Sequence, residues 1–268
     1  MDNMNHRVAP EEDGQRLDKA LAALLPDSGL RHRRRLIETG QVLLQGRTAS
    51  PGTRVRAGQE IRLTSVPEPE FPSGLRVVHE HGGLAAVCKP AGVHSARVAG
   101  GGPSVEDRLA ELFPGREPML LNRLDQGTSG LLLAALTEEA RREYLAREAA
   151  GQVAKTYLAL VRGRVDKGFT VRLALDTDDR KKTRALGEDD PDPARWTEVE
   201  PMEIVGENTL VRARIKRGAR HQIRAHLASV GHPLAGDALY GGGEGSFRLH
   251  HQRADLPGFS VQVEPDWG

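Results

Sequence analysis

The sequence contains a single cysteine, Cys88, which excludes a disulfide framework and a zinc site built from several cysteines. Only 4% of the residues are aromatic, and no apolar run approaches the ~18 residues that a membrane-spanning helix needs. The first residues, MDNMNHRVAPEEDGQRLD, lack the apolar segment of a secretory signal. These absences predict a cytoplasmic protein without a membrane partner.

Charge is almost balanced over the whole chain but is unevenly distributed along it. The 38 Lys and Arg against 37 Asp and Glu leave a formal net charge of +1. Residues 28–62 nevertheless carry eight Arg and two Glu, residues 211–224 carry six cations and no acid, and residues 188–207 carry eight acids and one Arg. Separated basic blocks are typical of proteins that bind phosphate backbones. The alternative is an ordinary surface in which these charges form salt bridges.

A proline-rich segment divides the chain. Residues 65–74, SVPEPEFPSG, hold three prolines among polar residues, so they can continue neither a helix nor a central strand. We therefore predict a small domain over residues 14–64, a linker over 65–74 and a larger domain over 75–264.

The apolar patterns predict helices in the small domain and mostly strands in the large one. Residues 16–25 have apolar positions at helical spacing, and a second helix over about 30–39 ends at Gly40. Beyond the linker, short apolar runs separated by turns outnumber helical patterns. The predicted fold class is α+β, with a mainly antiparallel sheet.

Asp125 is the residue that the pattern favours for chemistry. It follows the apolar run Met119–Leu124 and begins a loop, DQGTS, before the apolar run Gly130–Leu136. Loops held between two strands often carry reacting groups, although a lone Asp there is more commonly a turn residue. A carboxylate in such a loop needs a cation or N–H donors, and residues 211–224 are the richest source of cations.

Four segments resemble the RluA-type RNA pseudouridine synthases, in that family's order and spacing. They are VCKPAG at 87–92, NRLDQGTSGL at 122–131, KTYLALV at 155–161 and RGARHQIRAHL at 217–227, the last continued by GHP at 231–233 and GDALYG at 236–241. Residues 16–63 resemble the small αL RNA-binding domain, of the S4 type, that often precedes this catalytic domain. The resemblance spans residues 16–256 and implies a pseudouridine synthase fold with a mainly antiparallel sheet.

The resemblance also implies an activity, the isomerisation of specific uridines in structured RNA to pseudouridine without metal or cofactor. Asp125 would be the nucleophile, at the uracil ring or at the ribose anomeric carbon, after the base is flipped into a pocket. Tyr157 would stack on the base and Arg224 would pair with Asp125. Arg123 would fill the gap that the flipped base leaves, and Leu227 would line the pocket.

RNA is the partner that the basic blocks and the resemblance both favour. We expect Arg31, Arg34 and Arg35 in the predicted second helix, together with Arg220, to contribute to RNA binding. An αL domain favours ribosomal RNA over transfer RNA, and we expect a monomer.

Two further classes of function compete with this interpretation. One is a catalytically silent RNA-binding or ribosome-assembly factor on the same fold, which would not need Asp125, Tyr157 and Arg224 together. The other is a retaining glycosidase or nucleosidase, which would need a second carboxylate about 5 Å from the first. The sequence departs from the family pattern at Asn122, where histidine is usual, and at Gly218-Ala219, where a threonine hydroxyl is lost.

Overall fold

The computed structural model describes residues 4–26, 28–64, 73–98, 103–179 and 181–267, with Arg31 described by its backbone alone. The chain forms two compact units, one of residues 1–71 and 97–103 and the other of residues 72–96 and 104–268. The domain boundaries expected from the sequence stay a prediction, and residues 65–72 of the predicted linker lie outside the described residues.

The small unit combines two helices with an antiparallel sheet of strand order β1-β4-β2-β3. Its helices are α1 (Leu17–Ala20), which continues as a 3₁₀ turn over Leu21–Ala23, and α2 (Leu30–Glu38). Its strands are β1 (Met4–Arg7), β2 (Val42–Leu44), β3 (Arg47–Thr48) and β4 (Glu60–Leu63). A further 3₁₀ turn covers Pro10–Glu12.

The helices of the small unit bury one apolar face against the sheet. Leu17 and Leu21 have no exposed surface and pack with Ile37, Val42 and Ile61. This spacing is the helical periodicity seen in the sequence, although the first helix tightens to a 3₁₀ turn halfway along. Burial of these side chains is the main favourable contribution to the stability of so small a unit.

One of the predicted RNA-binding arginines has a structural role in the small unit. Asp18 is fully buried and accepts hydrogen bonds from Arg16 Nη2 at 2.8 Å and from Arg34 Nε at 2.6 Å. The hydrogen bond from Arg16, followed by that from Arg34, lowers the pKa of Asp18 to about 2 even though burial acts in the opposite direction. A buried carboxylate requires such partners, so Arg34 is committed to joining α2 to α1.

Within the described ranges, the large unit is built on a ten-stranded sheet and a separate hairpin. The main path of the sheet runs β10-β13-β14-β9-β15-β8-β6-β5, with β16 paired to β15 and β7 paired to β8. The first strands are β5 (Arg76–His81), β6 (Leu84–Lys89), β7 (Met119–Leu120), β8 (Ser129–Ala135), β9 (Ala154–Arg162) and β10 (Phe169–Val171). They are followed by β13 (Thr197–Val205), β14 (Asn208–Ile215), β15 (Leu249–Leu256) and β16 (Phe259–Gln262).

In the described part of the large unit, the remaining elements are three helices, the hairpin and one 3₁₀ turn. The helices are α3 (Val105–Leu112), α4 (Glu138–Ala149) and α5 (Gln222–Ser229). The hairpin is formed by β11 (Leu173–Asp176) and β12 (Arg184–Asp189), and the 3₁₀ turn covers Pro193–Arg195. The mainly antiparallel α+β architecture expected from the sequence is confirmed, with β8 and β15 as a parallel pair.

The strand predicted over Met119–Leu124 is much shorter than expected. Of residues 119–124, only the two residues of β7 pair with β8 as a strand. Beyond it, the side-chain oxygen of Asn122 accepts a hydrogen bond of 2.7 Å from the backbone N–H of Leu133. The side-chain amide of Asn122 thus occupies the place of a backbone partner for β8. The backbone at Asn122 can therefore leave the sheet and enter the loop of Asp125.

Strand β15 lies in the middle of the sheet although the sequence predicted no strand there. It pairs with β9 on one side and, through His250 and His251, with Ser129 and Gly130 of β8 on the other. A Cβ placed on Gly130 would lie 2.3 Å from the carbonyl oxygen of His251, and φ at Gly130 is +107°. Only glycine allows the two backbones to approach this closely.

The second basic block and the acidic block neutralise each other in the fold. The antiparallel register of β13 and β14 places Glu198 opposite Arg214 and Glu200 opposite Arg212. Residues that are far apart in the charge pattern therefore become cross-strand pairs. For residues 211–224 the salt-bridged surface describes the structure better than a free phosphate-binding stripe does.

Candidate active site

Asp125 lies in the loop between β7 and β8, and backbone contacts from the segment after β6 hold that loop. Ser95 donates a hydrogen bond to the carbonyl of Leu124 and accepts one from its N–H, both at 2.8 Å. The N–H of Gly92 bonds to the carbonyl of Gln126 at 2.8 Å. The residues on either side of Asp125 are thus fixed, and its side chain remains 23% exposed.

Lys89 at the end of β6 also holds the loop of Asp125, through a hydrogen bond to the carbonyl of Gln126. Its side chain is fully buried, and Nζ donates to the carbonyls of Pro90, Val93 and Gln126 at 2.9, 2.7 and 3.1 Å. Burial lowers the pKa of Lys89 to about 8, against the opposing attraction of Asp125. Lys89 stands in the segment VCKPAG, which carries part of the family resemblance, but its role was not predicted from the sequence.

Arg224 on α5 joins Asp125 to a second, buried carboxylate. Its Nη1 donates to Asp125 Oδ2 at 2.9 Å, while Nε and Nη2 form a two-donor fork onto Asp237 at 2.7 and 2.8 Å. The side chain of Asp237 is only 1% exposed and that of Arg224 12%. Burial alone would lower the pKa of Arg224, but the hydrogen bonds to Asp237 and Asp125 outweigh it and raise the pKa. The guanidinium is therefore a fixed positive charge beside Asp125.

Aromatic rings surround this guanidinium. Its central carbon lies 5.0 Å from the ring centre of Tyr240 and 5.3 Å from that of Phe247. Contacts of this kind favour a cation over a neutral group. They also limit the orientations of Arg224, whose planar donors must stay aligned with both carboxylates.

Tyr157 on β9 is buried, with 6% of its surface exposed, and His251 covers one face of its ring. Its ring stacks on His251 with a centroid distance of 4.5 Å and an interplanar angle of 15°. Burial, followed by the negative charge of Asp125, raises the pKa of Tyr157, so the phenol is neutral near pH 7. Burial lowers the pKa of His251 to about 3, so its stacked imidazole is neutral as well. A flipped base can stack only on the other face of Tyr157.

His221, which precedes α5, faces the second oxygen of Asp125. Its Nε2 lies 3.7 Å from Asp125 Oδ1, and its Nδ1 lies 3.1 Å from the Tyr240 hydroxyl. The same hydroxyl bonds to the N–H and to the carbonyl of Thr183, both at 2.9 Å. The loop between β11 and β12 is thereby tied to the residues around Asp125.

Two of the residues predicted to contact RNA or to line the pocket, Leu227 and Arg220, have other surroundings, whereas Arg123 is exposed. Leu227 has no exposed surface and belongs to the core, so in this structure it does not line an open pocket. Arg220 donates to the carbonyls of Thr177, at 2.8 Å, and of Asp179, and so holds the β11–β12 loop. Arg123 is exposed beside Asp125.

The three arginines predicted in the second helix all lie on α2 of the small unit. Arg34 is bound to Asp18, and Arg35 is exposed. The side chain of Arg31 lies outside the described part of the structure. Their role in RNA binding remains a prediction.

The chain belongs to the RNA pseudouridine synthase family. The family of RNA pseudouridylate synthases matches residues 83–229, which include Asp125, Tyr157, His221 and Arg224. The S4 domain family matches residues 15–61 of the small unit. The protein is therefore an enzyme of this class with an amino-terminal S4 RNA-binding domain.

Similar proteins cover nearly the whole chain. An uncharacterized RNA pseudouridine synthase of Chloroflexus aurantiacus is 35% identical over 91% of this chain and 81% of its own length. The ribosomal large subunit pseudouridine synthase D of Xanthomonas campestris is 30% identical over 90% of this chain and 76% of its own length. The solved structure of human RNA pseudouridylate synthase domain containing 1 superposes with a TM-score of 0.59 at 26% identity, over 72% of this chain and 83% of that one.

Several residues of the site were not predicted from the sequence. His221 stands in the segment RGARHQIRAHL, and Asp237 and Tyr240 stand in GDALYG; both segments carry the family resemblance, but no role was expected for these three residues. In the described ranges, no group of three or more His, Cys, Asp or Glu side chains is arranged to hold a metal ion. Nor does any described helix have the length and apolarity to cross a membrane.

Proposed function

We propose that this enzyme isomerises a uridine of ribosomal RNA to pseudouridine, with Asp125 as the nucleophile. The observation that carries the proposal is the pair of Asp125 and Arg224, in which a partly exposed carboxylate is aimed by a guanidinium that Asp237 holds from behind. Similar proteins that are named for the ribosomal large subunit support ribosomal RNA as the substrate. We place the reaction in the cytoplasm and the partner RNA on both units.

The reaction breaks the bond between N1 of uracil and C1′ of ribose and forms a bond between C5 and C1′. The uridine has to leave its stack before any side chain can reach these atoms. Asp125 then attacks either C1′ or the uracil ring, and Tyr157 receives the base on the face of its ring opposite His251. Arg123, which is exposed beside Asp125, fills the space left in the RNA.

Replacement of Asp125 by Asn tests the nucleophile. Asn has nearly the same shape and can still accept a hydrogen bond from Arg224, but it is not a nucleophile. We expect Asp125→Asn to form no pseudouridine in single-turnover reactions on large-subunit ribosomal RNA while binding that RNA with nearly unchanged Kd. The control is Asp166→Asn, because Asp166 is an exposed partner of Arg164 and should be dispensable.

The substrate is tested by mapping pseudouridine in ribosomal and transfer RNA from cells with and without the gene. Loss of one or a few sites in large-subunit ribosomal RNA supports the proposal, and loss in transfer RNA alone contradicts it. An Asp125→Asn enzyme that keeps its rate within tenfold of wild type would show that another group is the nucleophile. If the wild-type protein binds RNA without changing any uridine, the chain is a silent binding factor.

A further inference from the structure

His221 has an unusual backbone conformation that directs its side chain. It is the residue before α5, and its φ of +52° and ψ of +17° lie in the left-handed region, which few residues other than glycine adopt. Such conformations cost free energy and persist where the surrounding structure holds them. Here the conformation puts the imidazole between Asp125 and Tyr240.

The hydrogen bonds around Tyr240 decide which ring nitrogen of His221 carries the proton. A tyrosine hydroxyl has one hydrogen, and it bonds to the carbonyl of Thr183 at 2.9 Å. Thr183 is fully buried, so withdrawing that hydrogen would leave a buried carbonyl without a partner among the described residues. The 3.1 Å contact with Tyr240 is therefore made by Nδ1–H of His221 as the donor.

In the neutral ring this assignment leaves Nε2 of His221 as an unprotonated acceptor. Nε2 lies 3.7 Å from Asp125 Oδ1, which is too long for a hydrogen bond. Two proton acceptors, Nε2 of His221 and Oδ1 of Asp125, thus face each other beside the proposed nucleophile. A proton delivered by the substrate would satisfy both.

The groups around His221 favour its neutral form in the free enzyme. Burial lowers the pKa of His221, and the positive charges of Arg224 and Arg220 lower it further. The negative charges of Asp125 and Asp237 oppose this shift without reversing it. Near pH 7 the imidazole is therefore ready to accept a proton.

We propose that Nε2 of His221 is the base that removes the proton from C5 of uracil. Once the C5–C1′ bond has formed, C5 carries both the new carbon substituent and its original hydrogen. Transfer of that hydrogen as a proton to Nε2 returns the C5–H electron pair to the ring. N1, released from C1′, binds one proton, and loss of the proton from His221 to solvent restores the balance.

The same neighbours stabilise the imidazolium that this step creates. At this stage Asp125 has no bond to C1′, so in the route through the anomeric carbon its carboxylate is free and lies beside the new positive charge. A cation 3.7 Å from that carboxylate is attracted to it. His221 is thus neutral before the step and paired with Asp125 after it.

The test uses the full-length variant His221→Gly and added imidazole. Glycine accepts a φ of +52° without strain and leaves a space for the free base. We expect the single-turnover rate at saturating ribosomal RNA to fall by about 10²-fold or more, the range that a general base contributes. Imidazole should restore much of the rate in its neutral form only. RNA labelled with deuterium at C5 should react more slowly than unlabelled RNA in this variant.

Two further variants separate catalysis from folding. His221→Asn suits the left-handed backbone and offers an amide to Tyr240, so a correctly folded Asn variant should be equally slow and equally sensitive to deuterium. His81→Gln, an exposed change on β5, is the matched control and should behave as wild type. Thermal unfolding and the Kd for RNA establish that each variant is folded.

Either of two results would overturn the assignment. One is a rate within threefold of wild type in both variants. The other is a loss of rate without rescue by imidazole and without a deuterium effect, which would make His221 a positioning residue for Asp125. The inference rests on the proposed function, and the wild-type reaction on the same RNA keeps the two apart: an inactive wild type contradicts the substrate, whereas an active wild type beside unaffected variants contradicts only the base.

Discussion

Arg224 is the residue that links Asp125, the proposed nucleophile, to the core of the large unit. Its Nε and Nη2 donate hydrogen bonds to Asp237, which is almost completely buried, and only Nη1 donates to Asp125. A buried ion pair contributes little net stability, but it is costly to break on one side only. Arg224 therefore carries out two tasks, neutralising Asp237 and aiming Asp125.

Arg224→Lys should separate these tasks from simple charge. Lysine keeps the positive charge but has one nitrogen, which cannot bond twice to Asp237 and still reach Asp125. We expect the single-turnover rate to fall by about 10²-fold, because misplacing a reacting group is that costly. The Kd for RNA should change by less than about threefold, since the charge remains.

The matched control is Arg212→Lys, since Arg212 is 44% exposed and has only a 3.5 Å contact with Glu200. Exposed pairs of this kind are worth little, so neither rate nor Kd should move. If Arg224→Lys weakened RNA binding as strongly as it slowed the reaction, Arg224 would be a phosphate contact.

The sequence was sufficient to predict that Asp125 and Arg224 meet, because both stand in recognisable motifs. The sequence was not sufficient to predict that the two-donor hydrogen bond of Arg224 is made to Asp237. Asp237 stands in a glycine-rich segment without periodicity, and nothing local distinguishes a buried acid there from a turn residue. His221 was missed for a similar reason, because its role depends on a positive φ that only the three-dimensional structure reveals.

At the level of elements, the crossing of β8 and β15 determines the position of Tyr157. Gly130 lets β15 approach, and His251, which pairs with Gly130 on one side and with Tyr157 of β9 on the other, stacks on the Tyr157 ring. Ser129 Oγ donates a hydrogen bond to Nδ1 of His250 at 2.9 Å at the same crossing, since Nε2 of His250 donates to the carbonyl of Val263. A change in the spacing of these two strands would therefore move Tyr157.

Gly130→Ala should destabilise the large unit strongly. The added Cβ would overlap the backbone of His251 at 2.3 Å, and the φ of +107° is unfavourable for alanine. We expect a loss of at least about 3 kcal/mol, which corresponds to a fall in Tm of roughly 6–12 °C for a chain of this size. Thermal unfolding followed by circular dichroism measures the change.

Gly187→Ala is the matched control for this substitution. Gly187 lies on β12 with no atom within 4 Å of its added Cβ and without a positive φ, so its Tm should stay within a degree or two. Equal melting of the two variants would mean that β8 and β15 tolerate a wider spacing.

The predictability of the elements depended on local signals. The second helix of the small unit was predicted well, over about 30–39 against the observed Leu30–Glu38, because Gly40 marks its end in the sequence. Strand β15 was missed because its buried positions include His250 and His251, which count as polar in a hydropathy pattern although neighbouring strands bury them. The pattern of apolar residues predicts burial poorly where the fold buries polar rings.

At the scale of the whole molecule, the two basic blocks have different fates. Within residues 211–224, three arginines form ion pairs inside the large unit: Arg212 with Glu200, Arg217 with Asp192, and Arg224 with Asp125 and Asp237. In the small unit, Arg47 and Arg56 are exposed, as is Arg35. The S4 match covers this unit, so we expect the electrostatic part of RNA binding to reside there.

Replacing Arg35, Arg47 and Arg56 together by Gln tests this expectation in the full-length enzyme. Each phosphate contact contributes about 0.7 to 0.9 to the slope of log K against log salt. The triple variant should therefore bind ribosomal RNA more weakly at low salt and show a slope flatter by up to about 2.7, the sum of three such contacts. Single-turnover rates at saturating RNA should stay within about threefold of wild type, because Asp125, Arg224 and His221 all belong to the large unit.

The control for this variant removes the same charge elsewhere. Arg142, Arg164 and Arg253 are exposed in the large unit, and the last two already face Asp166 and Asp255. Their replacement by Gln should leave the salt slope unchanged, because these side chains lie outside the S4-matched unit to which we assign the phosphate contacts. If both triple variants flattened the salt slope equally, the RNA contacts would not be concentrated in the small unit. A normal slope with a slow reaction at saturation in the Arg35, Arg47 and Arg56 variant would instead assign the small unit a part in catalysis.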